Sequence, residues 1–214
     1  FLVTTTTQDD QAAPHITALA GGGFVTTWED RSQTGGDTSG NAVRAQVFAA
    51  DGSTVGGEIL VNTTTQDSQW EEQITALEFG GFVVTWRDAS GDMGDIRAQA
   101  FAADGTALGG EILVNSTTPG SQGDPQITAL EGGGFAISWT DYSQTGGDTS
   151  EGAVRAQVFA ADGTALGGEM LVNTTTQDWQ WSPQITALAG GGFAISWTDW
   201  SSGDQDIRAQ VFKV

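Results

Sequence analysis

The chain is one unit written four times. Trp28, Trp86, Trp139 and Trp197 each open the pattern Trp-x-Asp-x-Ser, at spacings of 58, 53 and 58 residues. Arg44, Arg97, Arg155 and Arg208, each leading an Arg-Ala-Gln-[Val/Ala]-Phe run, are spaced 53, 58 and 53, so the five extra residues of copies one and three lie between the Trp and the Arg. A repeat of this length is too small to bury its own apolar side and must stack on its neighbours, which restricts the chain to a propeller or a solenoid.

Within the third copy, Gln126–Leu130 and Phe135–Trp139 are short β-prone runs joined by a Gly-rich turn, and Val154–Phe159 and Glu169–Asn173 flank an Ala-Ala-Asp-Gly turn. Four strands with short connections make one antiparallel meander, and no segment has helical periodicity. Four radial meanders predict an all-β, four-bladed β-propeller, with residues 1–214 as a single domain. Leu-Val recurs at Leu2, Leu60, Leu113 and Leu171, and the fourth copy has no such strand after its Arg run. The expectation is therefore that Phe1–Thr4 pairs onto the last meander and closes the ring. A solenoid, the second choice, would need end caps instead.

The charge excludes two partner classes. Seven Lys and Arg stand against 27 Asp and Glu, a net charge of −20. Such a field repels nucleic acid and anionic lipid, and no apolar run is long enough to span a membrane. Without cysteine there are no disulfides, thiolate nucleophiles or thiolate-bound zinc.

The turns of one face are nearly identical in every copy, while the loops of the other carry the variation between copies, which directs attention to the variable face. There the linkers entering the meanders contain Gln69-Trp70, Gly123, and Trp179-Gln180-Trp181, and the loops after strand two contain Tyr142 and Trp200. Ala12 and Gly123 stand where Trp70 and Trp181 do, so the fold does not demand an aromatic at that position. Flat rings among amides suit the C–H faces of sugars, making Trp70, Trp179, Trp181, Tyr142, Trp200, Gln69 and Gln180 candidate carbohydrate-binding residues. Lids over the blade interfaces or a self-association contact would use the same aromatics. The recurrent Trp28, Trp86, Trp139 and Trp197 belong to the core between blades.

Every copy has an Asp two residues after that Trp and an Arg on the third strand, which favours a repeated buried ion pair. As an alternative, Asp88, Asp92 and Asp95, with Asp199, Asp204 and Asp206, offer closely spaced hard oxygen donors of the kind calcium takes. His15 is the sole histidine and reads as a strand residue, so no Ser/His/Asp triad recurs. The one chemistry left to an enzyme is a carboxylate pair acting on glycosides, drawn from Glu71, Glu72, Asp88 or Asp199. No required cofactor and no catalytic activity are expected.

The unit Leu-Val-Asn-Thr-Thr-Thr, Gln-Ile-Thr-Ala-Leu, Gly-Gly-Phe, Trp-x-Asp and Ala-Gln-Val-Phe-x-Ala-Asp-Gly resembles repeats of large, acidic, cysteine-free secreted bacterial proteins of the RTX and adhesin type. That resemblance covers the whole chain and implies an extracellular, calcium-rich setting and a modular role. The RTX calcium nonapeptide itself is absent, so no calcium ligand carries over. Residues and resemblance together predict a non-catalytic, lectin-like module that binds a glycan or polysaccharide. The alternative is an adhesion module binding calcium or a protein through acidic loops.

Overall fold

The computed structural model describes residues 1–91 and 93–213. The described elements are strands in four antiparallel sheets, each following chain order. The first sheet comprises β1 (Gln11–Ala18), β2 (Phe24–Asp30), β3 (Ala42–Phe48) and β4 (Thr54–Leu60). The second comprises β5 (Gln69–Ala76), β6 (Phe82–Asp88), β7 (Asp95–Phe101) and β8 (Ala107–Leu113). The third has β9 (Gln122–Ala129), β10 (Phe135–Asp141), β11 (Ala153–Phe159) and the short β12 (Met170–Leu171). The fourth has β13 (Gln180–Ala187), β14 (Phe193–Asp199) and β15 (Asp206–Phe212). The sheets are the blades of a β-propeller, with β1, β5, β9 and β13 innermost.

The tight first turn of each blade depends on glycine. A Cβ on Gly23, Gly81, Gly134 or Gly192 would come within 2.2 to 2.5 Å of a carbonyl oxygen on the third strand, and all four have positive φ. Beyond the turn, Phe24–Phe48, Phe82–Phe101, Phe135–Phe159 and Phe193–Phe212 stack across paired strands at 4.9 to 5.1 Å.

Strand alternation gives each blade two faces. Towards the preceding blade point Phe82, Val84, Trp86 and Phe101, which pack with Val43, Ala45, Val47 and Val61 of the first blade. Towards the following blade point Val83, Ile96, Ala98 and Ala100, which pack with Phe135, Ile137 and Trp139. A third core of the same composition joins the last two blades through Val154, Ala156, Phe193, Ile195 and Trp197. The four repeated Trp are 0 to 3% exposed, as core residues should be.

The ion pairs follow from the same geometry. Arg97 lies opposite Trp86 in the β6–β7 register, and Asp88, two residues after Trp86, shares its face. The guanidinium therefore reaches Asp88 at 2.5 Å and Glu111 on the outer strand at 2.9 Å. Arg44 joins Asp30 and Glu58 in the first blade, and Arg155 joins Asp141 and Glu169 in the third. The outer Glu also accepts hydrogen bonds from the preceding linker. Thr63 donates its N–H and hydroxyl to Glu111 at 2.7 and 2.8 Å, and Ser116 does the same to Glu169 at 2.6 and 2.8 Å.

The expected clasp does not form. Residues 1–4 join no strand, and the fourth sheet keeps three. They lie instead against the first blade. Phe1 packs on Phe48 at 5.3 Å, Val3 and Thr4 border a small cavity beside Trp28, and Thr5 donates to Glu58 at 2.9 and 2.7 Å. Relative to the first blade, the segment thus sits where the end of one outer strand sits relative to the next blade. The fourth blade has not come round to meet it. Three apolar cores join four blades, and among the described residues no fourth core links the last blade to the first. Ile207 and Val211 on β15 remain 75% and 65% exposed.

Removing one arginine should measure how buried its pair is. Arg155→Ala leaves the carboxylates of Asp141 and Glu169, 1% and 5% exposed, without a counter-charge. It should cost about 3–5 kcal/mol in chemical denaturation. The Arg208 side chain is 43% exposed but Asp199 is fully buried, so Arg208→Ala, which strands one buried carboxylate rather than two, should cost less than Arg155→Ala.

Candidate functional site

The linker residues expected in loops extend the inner strands instead. Each inner strand carries a bulge two to three residues from its start, where the register with the second strand slips. At that bulge Ala13, Glu71, Asp124 and Ser182 adopt φ of 48 to 58°, a conformation that L-residues with a side chain seldom take. The bulge turns these equivalent side chains towards the axis. Glu71, Asp124 and Ser182 consequently border one cavity of about 190 Å³, with Gln73, Gln126, Gln184, Pro125 and Pro183.

The carboxylates there are anchored by neighbours that differ between copies. Asp124 N–H donates to Glu71 at 3.0 Å, and the Thr140 hydroxyl donates to Asp124 at 3.1 Å. Arg87 lies 3.7 Å from Glu71, donates to the Ser121 hydroxyl at 2.8 Å, and stacks over Trp70 at 5.2 Å. A Cβ on Gly123 would stand in ordinary contact, 3.4 to 3.5 Å, with Arg87 and Glu71, so a side chain as large as the Trp70 or Trp181 indole at this position would press on both. Of the two copies that lack an aromatic at this position, with Ala12 and Gly123, the second is the one beside the cation.

Glu72, where the other copies have Pro14, Pro125 and Pro183, is fully buried. Neither of its carboxyl oxygens has a hydrogen-bond partner among the described residues. Burial, reinforced by the charge of Glu29, raises its pKa from 4.5 to about 8. The acid is neutral through most of the physiological range.

A second concavity is formed by the last two blades. Tyr142, Trp179, Trp181 and Trp200 line about 330 Å³, with successive ring centroids 5.9, 6.2 and 6.1 Å apart. Trp181 directly precedes Ser182 of the carboxylate cavity. Tyr142 lies close enough that, after burial, the Asp124 charge is the next cause raising its phenol pKa.

Sequence expectations divide sharply against this geometry. Tyr142, Trp179, Trp181 and Trp200 come together, whereas Trp70 is separate and covered by Arg87. Gln69 and Gln180 are corrected to internal struts. Both are fully buried; Gln69 donates to Asp88 at 3.0 Å and accepts from Asn62 at 3.1 Å, and Gln180 accepts from Asn173 at 3.1 Å. A glutamine recurs at that position in all four copies because the fold uses it.

The calcium set is corrected likewise. Asp88 and Asp199 are buried and face Arg97 and Arg208, Asp95 accepts from Asn115 at 2.7 Å, and Asp206 accepts from Ser202 at 2.8 Å. Asp204 is exposed, and Asp92 lies outside the described residues. No group of three acidic or imidazole side chains among the described residues converges as metal ligands. Asp124 escaped the sequence reading. Its signal was the variable column Ala13, Glu71, Asp124, Ser182 beside an invariant glutamine.

No family model and no curated protein matches this chain. Solved structures do match its fold. An α-L-arabinanase from Penicillium chrysogenum, complexed with arabinobiose, aligns with a TM-score of 0.60 and 15% identity over 94% of this chain and 62% of its own. An endo-arabinase from Bacteroides thetaiotaomicron aligns at 0.53 and 14% over 100% and 80%. An α-L-arabinofuranosidase from Fusarium graminearum with arabinobiose aligns at 0.56 and 10% over 94% and 57%. At these identities the likeness establishes a β-propeller.

These neighbours also overturn two expectations. The fold is represented by glycoside hydrolases, not by RTX or adhesin repeats, so the reading of a non-catalytic lectin-like module is withdrawn.

Burial of Glu72 has a pH signature. Below about pH 4.5 the carboxyl is protonated in both folded and unfolded chains and costs nothing extra. Between 4.5 and about 8 only the unfolded chain releases its proton, so stability falls as pH rises, then levels off. Glu72→Gln should flatten this decline and raise the melting temperature at pH 8 relative to the parent, with little change at pH 4.

Proposed function

We propose that this chain is a carbohydrate-active domain that cleaves glycosidic bonds at the mouth of its ring. The observation carrying this reading is the convergence of Glu71 and Asp124 on one cavity, each carried on the left-handed bulge that holds only Ala13 and Ser182 in the other two blades. Glycoside hydrolysis requires two carboxyl groups flanking the bond, one to protonate the departing oxygen and one to activate water or attack the sugar. Glu71, ion-paired with Arg87, takes the base or nucleophile role. Asp124, held by Thr140, takes the acid role.

The aromatic concavity beside them serves the substrate. Tyr142, Trp181 and Trp200 present flat apolar surface to the C–H faces of sugar rings, while Trp179 and the polar rim limit their tilt. A chain of sugars running from the carboxylates across Trp181 would use both cavities at once. The names of the matched structures make arabinose-containing oligosaccharides and polysaccharides the first substrates to try.

Release of reducing ends from a panel of plant and bacterial polysaccharides, arabinan included, tests the assignment. Glu71→Gln and Asp124→Asn should each lower kcat by about 10²–10⁴-fold with melting temperatures kept. Trp181→Ala with Trp200→Ala should raise KM and leave kcat nearly unchanged. Turnover in both carboxylate variants equal to the parent's would reject Glu71 and Asp124, and no cleavage of any glycan by the parent would reject the function.

A further inference from the structure

We propose that the rings of Tyr142, Trp179, Trp181 and Trp200 form a box for a quaternary ammonium group, so that the ligand of this cavity carries a trimethylated nitrogen. The repeat supplies its own precedent. Trp70 and Trp181 hold the same place in the second and fourth blades, and the strand register sets Arg87 opposite Trp70 but Thr198 opposite Trp181. In the second blade the Arg87 guanidinium lies over the indole at 5.2 Å, so the cation on that ring face comes from the same chain. In the fourth blade a threonine, too short to cover the ring, stands in its place. Where the second blade has Ser68 and Ala89, the fourth has Trp179 and Trp200, and the third blade adds Tyr142. The internal cation is gone and aromatic rings surround the position it would hold.

The rings are set as walls. Successive pairs are inclined at 63°, 87° and 43°, and together they line a cavity of about 330 Å³. A sugar stacks on one flat face or on faces in a common plane, whereas rings at steep angles around one space suit a rounded charge that meets several π-faces at once.

The lining also selects among cations. No charged side chain among the described residues lines the cavity, and the Tyr142 hydroxyl is the one side-chain acceptor there, since an indole N–H only donates. A primary ammonium would bring in three N–H donors and leave most of them unpaired, at a desolvation cost; a trimethylated nitrogen has none to satisfy. Negative charge acts from further off. The chain carries −20 in all, and the Asp124 carboxylate reaches the Tyr142 phenol, where after burial it is the next cause of the raised pKa. Such a field concentrates organic cations at the mouth of the cavity and repels acidic sugars. The box stands on the rings and goes beyond the glycosidase reading, so either can fail without the other.

Calorimetric titration of the whole chain with choline, tetramethylammonium and the uncharged tert-butyl analogue of choline tests the box. Choline should bind about tenfold or more tightly than its neutral analogue, and ammonium ion should not compete. Thr198→Arg restores the arrangement of the second blade, sets a guanidinium over Trp181 and should abolish choline binding. Trp200→Ala, which removes an exposed wall, should weaken binding severalfold with far-UV circular dichroism unchanged. Equal affinity for choline and the neutral analogue overturns the proposal, since it would mean a merely apolar patch. Choline binding undiminished in both variants overturns it too, by placing the cation elsewhere. A trimethylated chito-oligosaccharide separates the sources of the group: binding tighter than that of choline puts the ammonium on a glycan, binding no tighter makes the ligand a small solute, and the box holds in both cases. Failure of the parent to cleave any polysaccharide would reject the glycosidase reading and leave these titrations unchanged.

Discussion

Everything in this molecule depends on a sheet being unable to stand alone. A four-strand meander has apolar side chains on both faces, and burial of large groups such as Trp86 and Trp139 happens only when another blade covers them. That requirement explains the repeat itself. Once one forward face fits one rear face, copying the unit reproduces the fit, and the same small set of Val, Ile, Ala, Phe and Trp recurs without change of role. It also explains why the last blade differs from the middle ones, since Ile207 and Val211 on its forward face are left 75% and 65% exposed.

The acidity of the chain looks different in this light. Carboxylates at Asp30, Asp88, Asp141 and Asp199 are structural, each turned onto an arginine, and in the first three blades a glutamate completes the set. Buried ions need full compensation, and in those three blades each arginine receives it from two strands of its own blade. The glutamate then extends the network to the linker of the blade before. Asn62, Asn115 and Asn173 close the remaining gaps by feeding the backbone N–H of the third strand, Val43, Ile96 and Val154, at 2.7 to 2.9 Å. Acids committed in this way have little capacity left for a metal ion.

How much of this could be read from the sequence varies with scale. The propeller was legible because the Trp and Arg spacings gave the copies and the turns gave their strands. The face of a strand on which each residue lies was legible too, since Trp, Asp and Arg had to share one. What escaped was whatever depends on the angle between blades. Nothing in one repeat states how many copies complete a circle, and the match of Leu2 to Leu60, Leu113 and Leu171 could not tell a closed ring from an arc. Buried glutamine was equally opaque: Gln69 and Gln180 stand beside tryptophans in polar linkers, and only the paths of Asn62 and Asn173 reveal them as struts.

The bulge on the inner strands resolves a conflict between repetition and chemistry. A scaffold built from identical units has few positions free to vary, because most side chains answer to two blades at once. A residue at positive φ in a register slip is lifted out of that obligation, at a cost on the order of 1 kcal/mol or more in backbone strain. Ala13 and Ser182 show that the scaffold tolerates small groups there, so Glu71 and Asp124 answer to no requirement of the core. The neighbours vary in step: Arg87 and Thr140 occupy the same place in successive blades, and Gly123 opens the space that Trp70 and Trp181 fill in theirs. Coordinated departures from the repeat, converging on one cavity, are where a protein made of copies can become specific, because every other position is bound to serve the fold.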